Sequence, residues 1–331
     1  MRIAVDAMGS DRAPTVEVEG AVGALLDRPD ITLVLVGDEA AVASELGRHG
    51  GVDRARIEVV HAPDVIDPGE TPITAVRRKP HSSIVQGIRL VKERKADAFL
   101  SAGSTGAVMA AAAILLRPIP GVDRPAVGSP VPSATGTFFL IDMGANVDTR
   151  PQHLLQFAHL GTIYAQDLMG VPEPRVGLLN IGTEPGKGNE QTVETYGLLS
   201  ASPALNFIGN VEGRDVIRGA CDVLVCDGFV GNVMLKFYES IAGFMAQELK
   251  AEMEKQNVSL DIKRLYQRLD YSTYGGAPLL GVNGVVVIAH GGSPPQAIRN
   301  GIGVAARSVE SRMVEHIAAR LGELAETSEE K

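Results

Sequence analysis

Lys187 stands between two glycines in Val176-Gly-Leu-Leu-Asn-Ile-Gly-Thr-Glu-Pro-Gly-Lys-Gly-Asn-Glu190, where a short apolar run empties into a polar loop. A lysine so flanked offers charge to an anion, and its glycine neighbours let the backbone approach a ligand closely. Glu184, Asn189 and Glu190 add carboxylates and an amide to the same loop. The spacing Gly182-x-x-x-Gly186-Lys187 is one residue short of a nucleotide-binding P-loop, and Gly188 replaces its magnesium-binding hydroxyl. This is therefore not an NTPase loop. Taken alone, the stretch reads equally well as a surface turn.

The same pattern of apolar run, glycine and polar residue recurs along the chain. Asp6-Ala-Met-Gly-Ser-Asp11 follows the first apolar run, and Ala102-Gly-Ser-Thr-Gly106 follows Ala98-Phe-Leu-Ser101. Asp142-Met-Gly-Ala-Asn146, Asp227-Gly-Phe-Val-Gly-Asn232 and His290-Gly-Gly-Ser293 repeat it. Arg77, Arg78, Lys79 and His81 precede Ser82-Ser83, a capping pair, so a basic cluster meets a helix N-terminus. Free N–H groups at such turns suit phosphate. Packing turns and a solvated charged face are the plainer readings of these two features.

These residues need strands to deliver them and helices to follow. Strands are predicted at Arg2 onward, Ile31–Val36, Ile57–Val60, Ala98–Ser101, Thr137–Asp142, Val176–Ile181, around Phe207, Val223–Cys226 and Val285–Ala289. Helices are predicted from Pro14 to Leu26, Glu39 to Leu46, Ser83 to Lys95, Ala107 to Leu116 and Pro151 to Leu168, and in one run from Pro294 that fades at Glu323. His153 and His159 on the Pro151 helix read as packing or surface residues. The alternation implies an α/β chain whose sheet is largely parallel, with polar residues at the carboxyl ends where ligands collect. Val233–Met253 and Ser259–Tyr271 are both amphipathic and read as a helical hairpin, 233–271, carrying Lys250, Lys255, Lys263, Arg264 and Arg268.

The chain has 331 residues, 45% hydrophobic and 21% charged, with a net charge of −9. Its acidity argues against a general nucleic-acid binder. No apolar run approaches a membrane span, and Met1-Arg-Ile-Ala-Val begins directly as a strand, so a cytoplasmic location is expected. Cys221 and Cys226 lack metal or redox spacing and are expected to be reduced and packed. No dinucleotide fingerprint, serine nucleophile elbow or zinc-protease motif occurs.

In their order along the chain, these motifs resemble the PlsX-type phosphate acyltransferases. The resemblance also rests on Arg77-Arg-Lys-Pro-His-Ser-Ser83, Gly275-Gly-Ala-Pro-Leu-Leu-Gly281 and the Lys187 loop, and it covers almost the whole chain. Ser10 departs from the glycine more common there. The resemblance implies a single catalytic domain, a three-layer α/β/α sandwich with a largely parallel mixed sheet, like isopropylmalate dehydrogenases and phosphotransacetylases, plus the protruding hairpin. It implies an obligate homodimer that converts acyl-[acyl-carrier protein] and inorganic phosphate into acyl phosphate at the start of phospholipid synthesis. It further implies peripheral contact with anionic membrane through the hairpin.

On that reading phosphate attacks the thioester directly, since no Ser–His or Cys–His pair is evident. Lys187 and the N–H groups of Gly103, Ser104, Thr105 and Gly106 would hold phosphate, with Lys79, Ser82 and Ser83 as a second cradle. Asn146, Asn189 or Asn232 would donate to the oxyanion, and His290 is the acid–base candidate, with Asp227 also assigned to catalysis. Asp6, Asp142, Asn146, Glu190 and Ser293 would position substrate. Lys250, Lys255, Val258, Leu260, Lys263, Arg264 and Arg268 would form the carrier-protein and membrane surface. No metal or cofactor is expected. Rival readings are a phosphotransacetylase-like enzyme using acyl-CoA, a dehydrogenase with Asp142 and Asp227 as metal ligands, and a non-catalytic adaptor.

Overall fold

The computed structural model describes residues 1–256, 258 and 275–329, the side chains of 324–329 excepted. In chain order its strands are β1 (Arg2–Asp6), β2 (Thr32–Gly37), β3 (Ile57–His61), β4 (Ala98–Ser101), β5 (Ala126–Ser133), β6 (Gly136–Ile141), β7 (Arg175–Asn180), β8 (Asn206–Glu212), β9 (Val223–Val225), β10 (Ala277–Leu280) and β11 (Val285–Ile288). The helices are α1 (Thr15–Asp27), α2 (Glu39–Gly47), α3 (Pro72–Arg78), α4 (Ser83–Lys92), α5 (Thr105–Leu115), α6 (Pro151–Met169), α7 (Glu190–Ser200), α8 (Gly213–Val216), α9 (Gly228–Lys255), α10 (Pro295–Glu310) and α11 (Met313–Glu329). The described chain is thus α/β, its strands mostly parallel and the remainder antiparallel. It divides into two compact units: Met1–Val127 with Gln166–Gly170 and Tyr274–Lys331, and Gly128–Ala165 with Val171–Thr273.

In the first unit the strand order is β3-β2-β1-β4-β11-β10. All neighbours run parallel except β10, which is antiparallel to β11 and also pairs with the first residues of β5. Ile3, Val5, Leu33, Leu35 and Leu100 are fully buried because their β-branched and leucine side chains are covered by helices. Val16, Ala21 and Leu25 of α1 and Ile298 and Ile302 of α10 belong to that same core, while α4 packs against β1, β2 and β4. This covering explains why the strands read as continuous apolar runs.

In the second unit the order is β5-β6-β9-β7-β8, parallel except for the β5–β6 hairpin. Phe138, Phe139 and Phe157 fill its core, and Phe139 stacks on Tyr164 of α6 with ring centroids 4.1 Å apart. Both cysteines are free and buried, as their spacing implied. His153 and His159 are buried in packing positions, the first accepting the Arg150 N–H at Nδ1 over 3.0 Å.

Several elements differ from the sequence expectation, which had no strand β10 and began the helix α9 at Val233 rather than Gly228. It also had no strand β5, which contains Pro130 and Pro132. The prolines are accommodated because Gly128–Ser133 pairs with β6 on one side, and β10 reaches only Ala126 and Val127. The stretch before Ser82 forms the short helix α3, opened by Pro72 in its first turn. The final helical run is two helices, broken at Arg312, whose φ of 55° lies in the left-handed region. Removing the Phe139 ring should cost about 3–5 kcal/mol through lost burial and a residual cavity. Urea unfolding of Phe139→Ala should therefore show a much lower midpoint; an unchanged midpoint would mean that the stack does not stabilise the second unit.

Candidate active site

The Lys187 loop lies in the second unit and is held by backbone geometry rather than by its charged side chains. Asn180, the last residue of β7, donates from Nδ2 to the Lys187 carbonyl over 2.9 Å and accepts the Ile181 N–H at Oδ1 over 2.8 Å. Gly188 has φ +102°, and a Cβ there would collide with Thr192 Oγ1 and lie 2.5 Å from Asn180 Oδ1. Only glycine closes this turn. Asn189 then caps α7 by accepting the Thr192 N–H over 2.9 Å, and Glu190 opens that helix. Lys187 is exposed, and among the described residues no carboxylate pairs with its ammonium group. The Glu184 carboxylate is nearby without forming an ion pair: Glu184 Oε2 and Lys187 Cγ lie 3.0 and 2.9 Å from where a Gly182 side chain would begin.

Beside β7, strand β9 delivers Asp227, which caps α9 by accepting the Val230 N–H over 2.8 Å. Asp142 leaves β6 fully buried and accepts hydrogen bonds from the Gly144, Ala145 and Asn146 N–H groups (3.3, 3.1 and 2.7 Å) and from Asn146 Nδ2 (2.9 Å). Asp142 and Asn146 thus organise a turn, with the Asn146 amide bonded to the Asp142 carboxylate. Asn232 is exposed on the first turns of α9, and its Cβ lies 3.5 Å from where a Gly144 side chain would begin. Burial pushes the Cys226 thiol up, and that of Cys221 up to about 12, so neither supplies a thiolate.

An open groove of about 740 Å³ starts at these strand ends. Asn180, Asn189, Thr192 and Asp227 line its polar end, while Leu154, Leu178, Val230, Val233, Met234 and Phe237 line the rest. Phe229 and Phe237 keep 60% and 67% of their surface exposed. The groove was not legible in the sequence, because its walls come from α6, β7 and α9.

In the first unit, Asp6 at the end of β1 is buried. Burial raises its pKa, against the opposing pull of the Ser101 and Ser83 hydroxyls and the Met8 N–H. Ser101 Oγ donates to Asp6 Oδ2 over 2.6 Å and accepts the Gly103 N–H over 3.0 Å, linking two strand-end loops. A Cβ at Gly9 would lie 2.6 Å from Gly103 N, so these loops are in close contact. The N–H of Gly103 is therefore engaged, and Ser104 Oγ caps α5 by accepting the Ala107 N–H over 3.4 Å. The Thr105 and Gly106 N–H groups belong to the first turn of α5, where no carbonyl of the same helix can accept them, and Gly106 is packed against Pro72. On the neighbouring strand β11, paired with β4 through Ile288 and Ser101, His290 follows. Its Nδ1 accepts the Gly292 N–H over 3.1 Å, which places the proton of the neutral ring on Nε2. In that tautomer His290 offers its Nε2–H as a hydrogen-bond donor.

The family model described as "Fatty acid synthesis protein" matches residues 1–316. A phosphate acyltransferase of Pelotomaculum thermopropionicum is 48% identical over 331 residues, covering 97% of this chain and 95% of the relative. One of Desulfitobacterium hafniense is 48% identical, covering 97% and 98%. The chain belongs to the PlsX family of phosphate acyltransferases. Among solved structures, a Streptococcus pyogenes phosphotransacetylase matches with TM-score 0.62 and 18% identity over 93% of this chain and 94% of the other. A 4-hydroxythreonine-4-phosphate dehydrogenase of Klebsiella pneumoniae matches with TM-score 0.52 and 13% identity over 93% and 98%. At such identity these two establish fold alone.

Within this acyltransferase chain the remaining expected site residues are less exposed to a ligand. Lys79 Nζ is committed to Glu70, at 2.5 Å, and to the Val65 carbonyl, at 2.7 Å. Ser82 caps α4 by accepting the Val85 N–H over 3.4 Å, and both Ser82 and Ser83 are buried. Ser293 is also buried. The first arm of the expected hairpin is the long helix α9, which runs on to Lys255; Lys250 and Lys255 stand there among Glu248, Glu252 and Glu254. Val258 is exposed, whereas Leu260, Lys263, Arg264 and Arg268 lie outside the described residues.

Glu17 escaped sequence reasoning, since an acid in a helix's first turn ordinarily faces water and the helix dipole. Here it is fully buried: Oε1 accepts the Ser10 N–H over 2.6 Å, and Oε2 has no partner. Burial first, and repulsion from Asp6 last, raise its pKa from 4.5 to about 7 against the Ser10 hydrogen bonds. The folded state therefore binds this proton more tightly than the unfolded state, so stability present below pH 4.5 is lost as pH rises toward about 7. At about 1.4 kcal/mol per unit, the wild type should lose roughly 2–3 kcal/mol relative to Glu17→Gln between about pH 5 and pH 8. Parallel stability curves in urea unfolding would show that Glu17 does not titrate in this range.

Proposed function

We propose that the chain transfers a fatty acyl group from acyl-[acyl-carrier protein] to inorganic phosphate, yielding acyl phosphate and the free carrier thiol. A phosphate oxygen attacks the thioester carbonyl, the C–O bond forms, and the tetrahedral oxyanion collapses with loss of the carrier thiolate, which then takes a proton. The observation that carries this reading is the exposed Lys187, which has no ion-pair partner among the described residues, on a glycine turn whose next residues, Gly188 and Asn189, line the polar end of an apolar groove. Membership in the family of phosphate acyltransferases supports it. So does the chemistry of the available nucleophiles, because both thiols are buried and held protonated.

Catalysis is then mostly electrostatic positioning. Lys187 balances phosphate charge, and the first-turn N–H groups of α7 and α9 are oriented for anionic oxygen. The Nδ2 of Asn189 or of Asn232 donates to the developing oxyanion. Asp227 serves by holding the first turn of α9 in place. In the first unit, the Thr105 and Gly106 N–H groups and the His290 Nε2–H are assigned to binding anionic oxygen.

Lys187→Ala should lower kcat/KM for phosphate by about 10- to 100-fold, the value of a lost charge-assisted hydrogen bond. Acyl phosphate trapped with hydroxylamine reads the rate, with acyl-carrier-protein and acyl-CoA donors run side by side. Near wild-type turnover would remove Lys187 from the mechanism, and preference for acyl-CoA would favour a phosphotransacetylase-like enzyme.

Homodimerisation is assigned to the far half of α9. Ile241, Phe244 and Met245 share one face and remain about half exposed in the isolated chain, a patch of the kind that marks an interface. Contact with anionic membrane and capture of the acidic carrier are assigned to the region around Val258 and the basic residues 263–268. Ile241→Asp combined with Met245→Asp should convert a dimer into a monomer in analytical ultracentrifugation, and an unchanged sedimentation coefficient would place the interface elsewhere.

A further inference from the structure

The groove of the second unit is amphiphilic along its length. Its polar atoms gather at the carboxyl ends of β7 and β9, where Asn180, Asn189 and Asp227 stand. From there Val230, Val233, Met234 and Phe237 repeat at three- and four-residue spacing, one row along α9. Leu154 of α6 and Leu178 and Leu179 of β7 supply further apolar walls. The row from Asp227 to Phe237 spans about 15 Å at the helical rise. Beyond Phe237 the apolar face of α9 continues through Ile241 and Met245, which do not line the groove. The channel therefore has a polar mouth, an apolar body and a defined far end.

Such a channel selects its occupant by polarity. A nucleotide or a sugar would need polar partners along its whole length, and a bound peptide segment would need partners for its N–H and C=O groups; the body of the groove supplies neither. An unbranched alkyl chain needs none, and its thioester carbonyl requires a hydrogen-bond donor at one end only. We propose that this groove is the acyl-chain subsite, with the carbonyl at the Asp227–Asn189 end, and that Val233 and Phe237 are specificity residues setting how strongly longer chains are preferred. The inference rests on the reaction proposed above.

Each buried methylene contributes about fourfold to binding, so the groove should favour palmitoyl over octanoyl donors. Val233→Phe obstructs the middle of the channel, and Phe237→Ala removes its distal wall; both positions are more than half exposed, so neither change disturbs the core. The palmitoyl-to-octanoyl ratio of kcat/KM should fall at least tenfold in Val233→Phe and several-fold in Phe237→Ala. In parallel, wild type should bind cis-parinaric acid, displaceable by palmitate, and Val233→Phe should bind it at least tenfold more weakly. Ratios and probe binding unchanged in both variants would overturn the subsite, as would a change in sedimentation without a change in ratio, which would make the groove a subunit contact. If wild type binds the probe in a Val233-dependent way but forms no acyl phosphate from any donor, the subsite stands and the proposed reaction fails.

Discussion

A carboxylate buried at the end of a strand must be surrounded by donors or lose its charge, and each unit of this protein has a loop built around one. Asp142 gathers three consecutive backbone N–H groups and the Asn146 amide. Asp6 draws in the Met8 N–H and the Ser101 hydroxyl, and through Ser101 it reaches Gly103. The turns that follow β1, β4 and β6 owe their shape to these bonds. Glu17 is the incomplete case: with one partner for two buried oxygens, its pKa is raised to about 7, so that it is about half protonated near neutrality.

Once the loops are fixed, the helix N-termini become the active electrostatic elements. Ser104, Asn189 and Asp227 each satisfy one first-turn N–H, and the other N–H groups of a first turn have no partner within their own helix. The cysteines are buried, and their thiols are held protonated. Lys187 differs from Lys79 in what surrounds it. The ammonium of Lys79 is neutralised by Glu70, whereas that of Lys187, on a glycine turn, forms no ion pair among the described residues.

Helix α9 combines two demands on one apolar face. Near its N-terminus, the walls contributed by α6 and β7 turn that face into a channel. Farther along, Ile241, Phe244 and Met245 are exposed, and a helix carrying such residues in water is stabilised by covering them. No described helix is long and apolar enough to cross a membrane.

Local pattern determined much of this protein. Apolar runs ending in glycine and a polar residue marked most strands, and Ser82 was legible as a helix starter because capping depends on neighbours three residues away; the caps Ser104, Asn189 and Asp227 were read as ligand-binding residues instead. The resemblance carried by the ordered motifs agrees with the family found. Tertiary structure alone decided which of those polar groups remain available. Gly103 is engaged through Ser101, Lys79 by Glu70 nine residues earlier, and Asn146 by Asp142. Glu17 is buried by elements distant in sequence, and Leu154, Leu178 and Phe237 meet in one groove only because α6, β7 and α9 converge. Burial and pairing are properties of contacts between distant residues, so a chain read in order shows which groups can do chemistry and leaves to the fold which of them are free to do it.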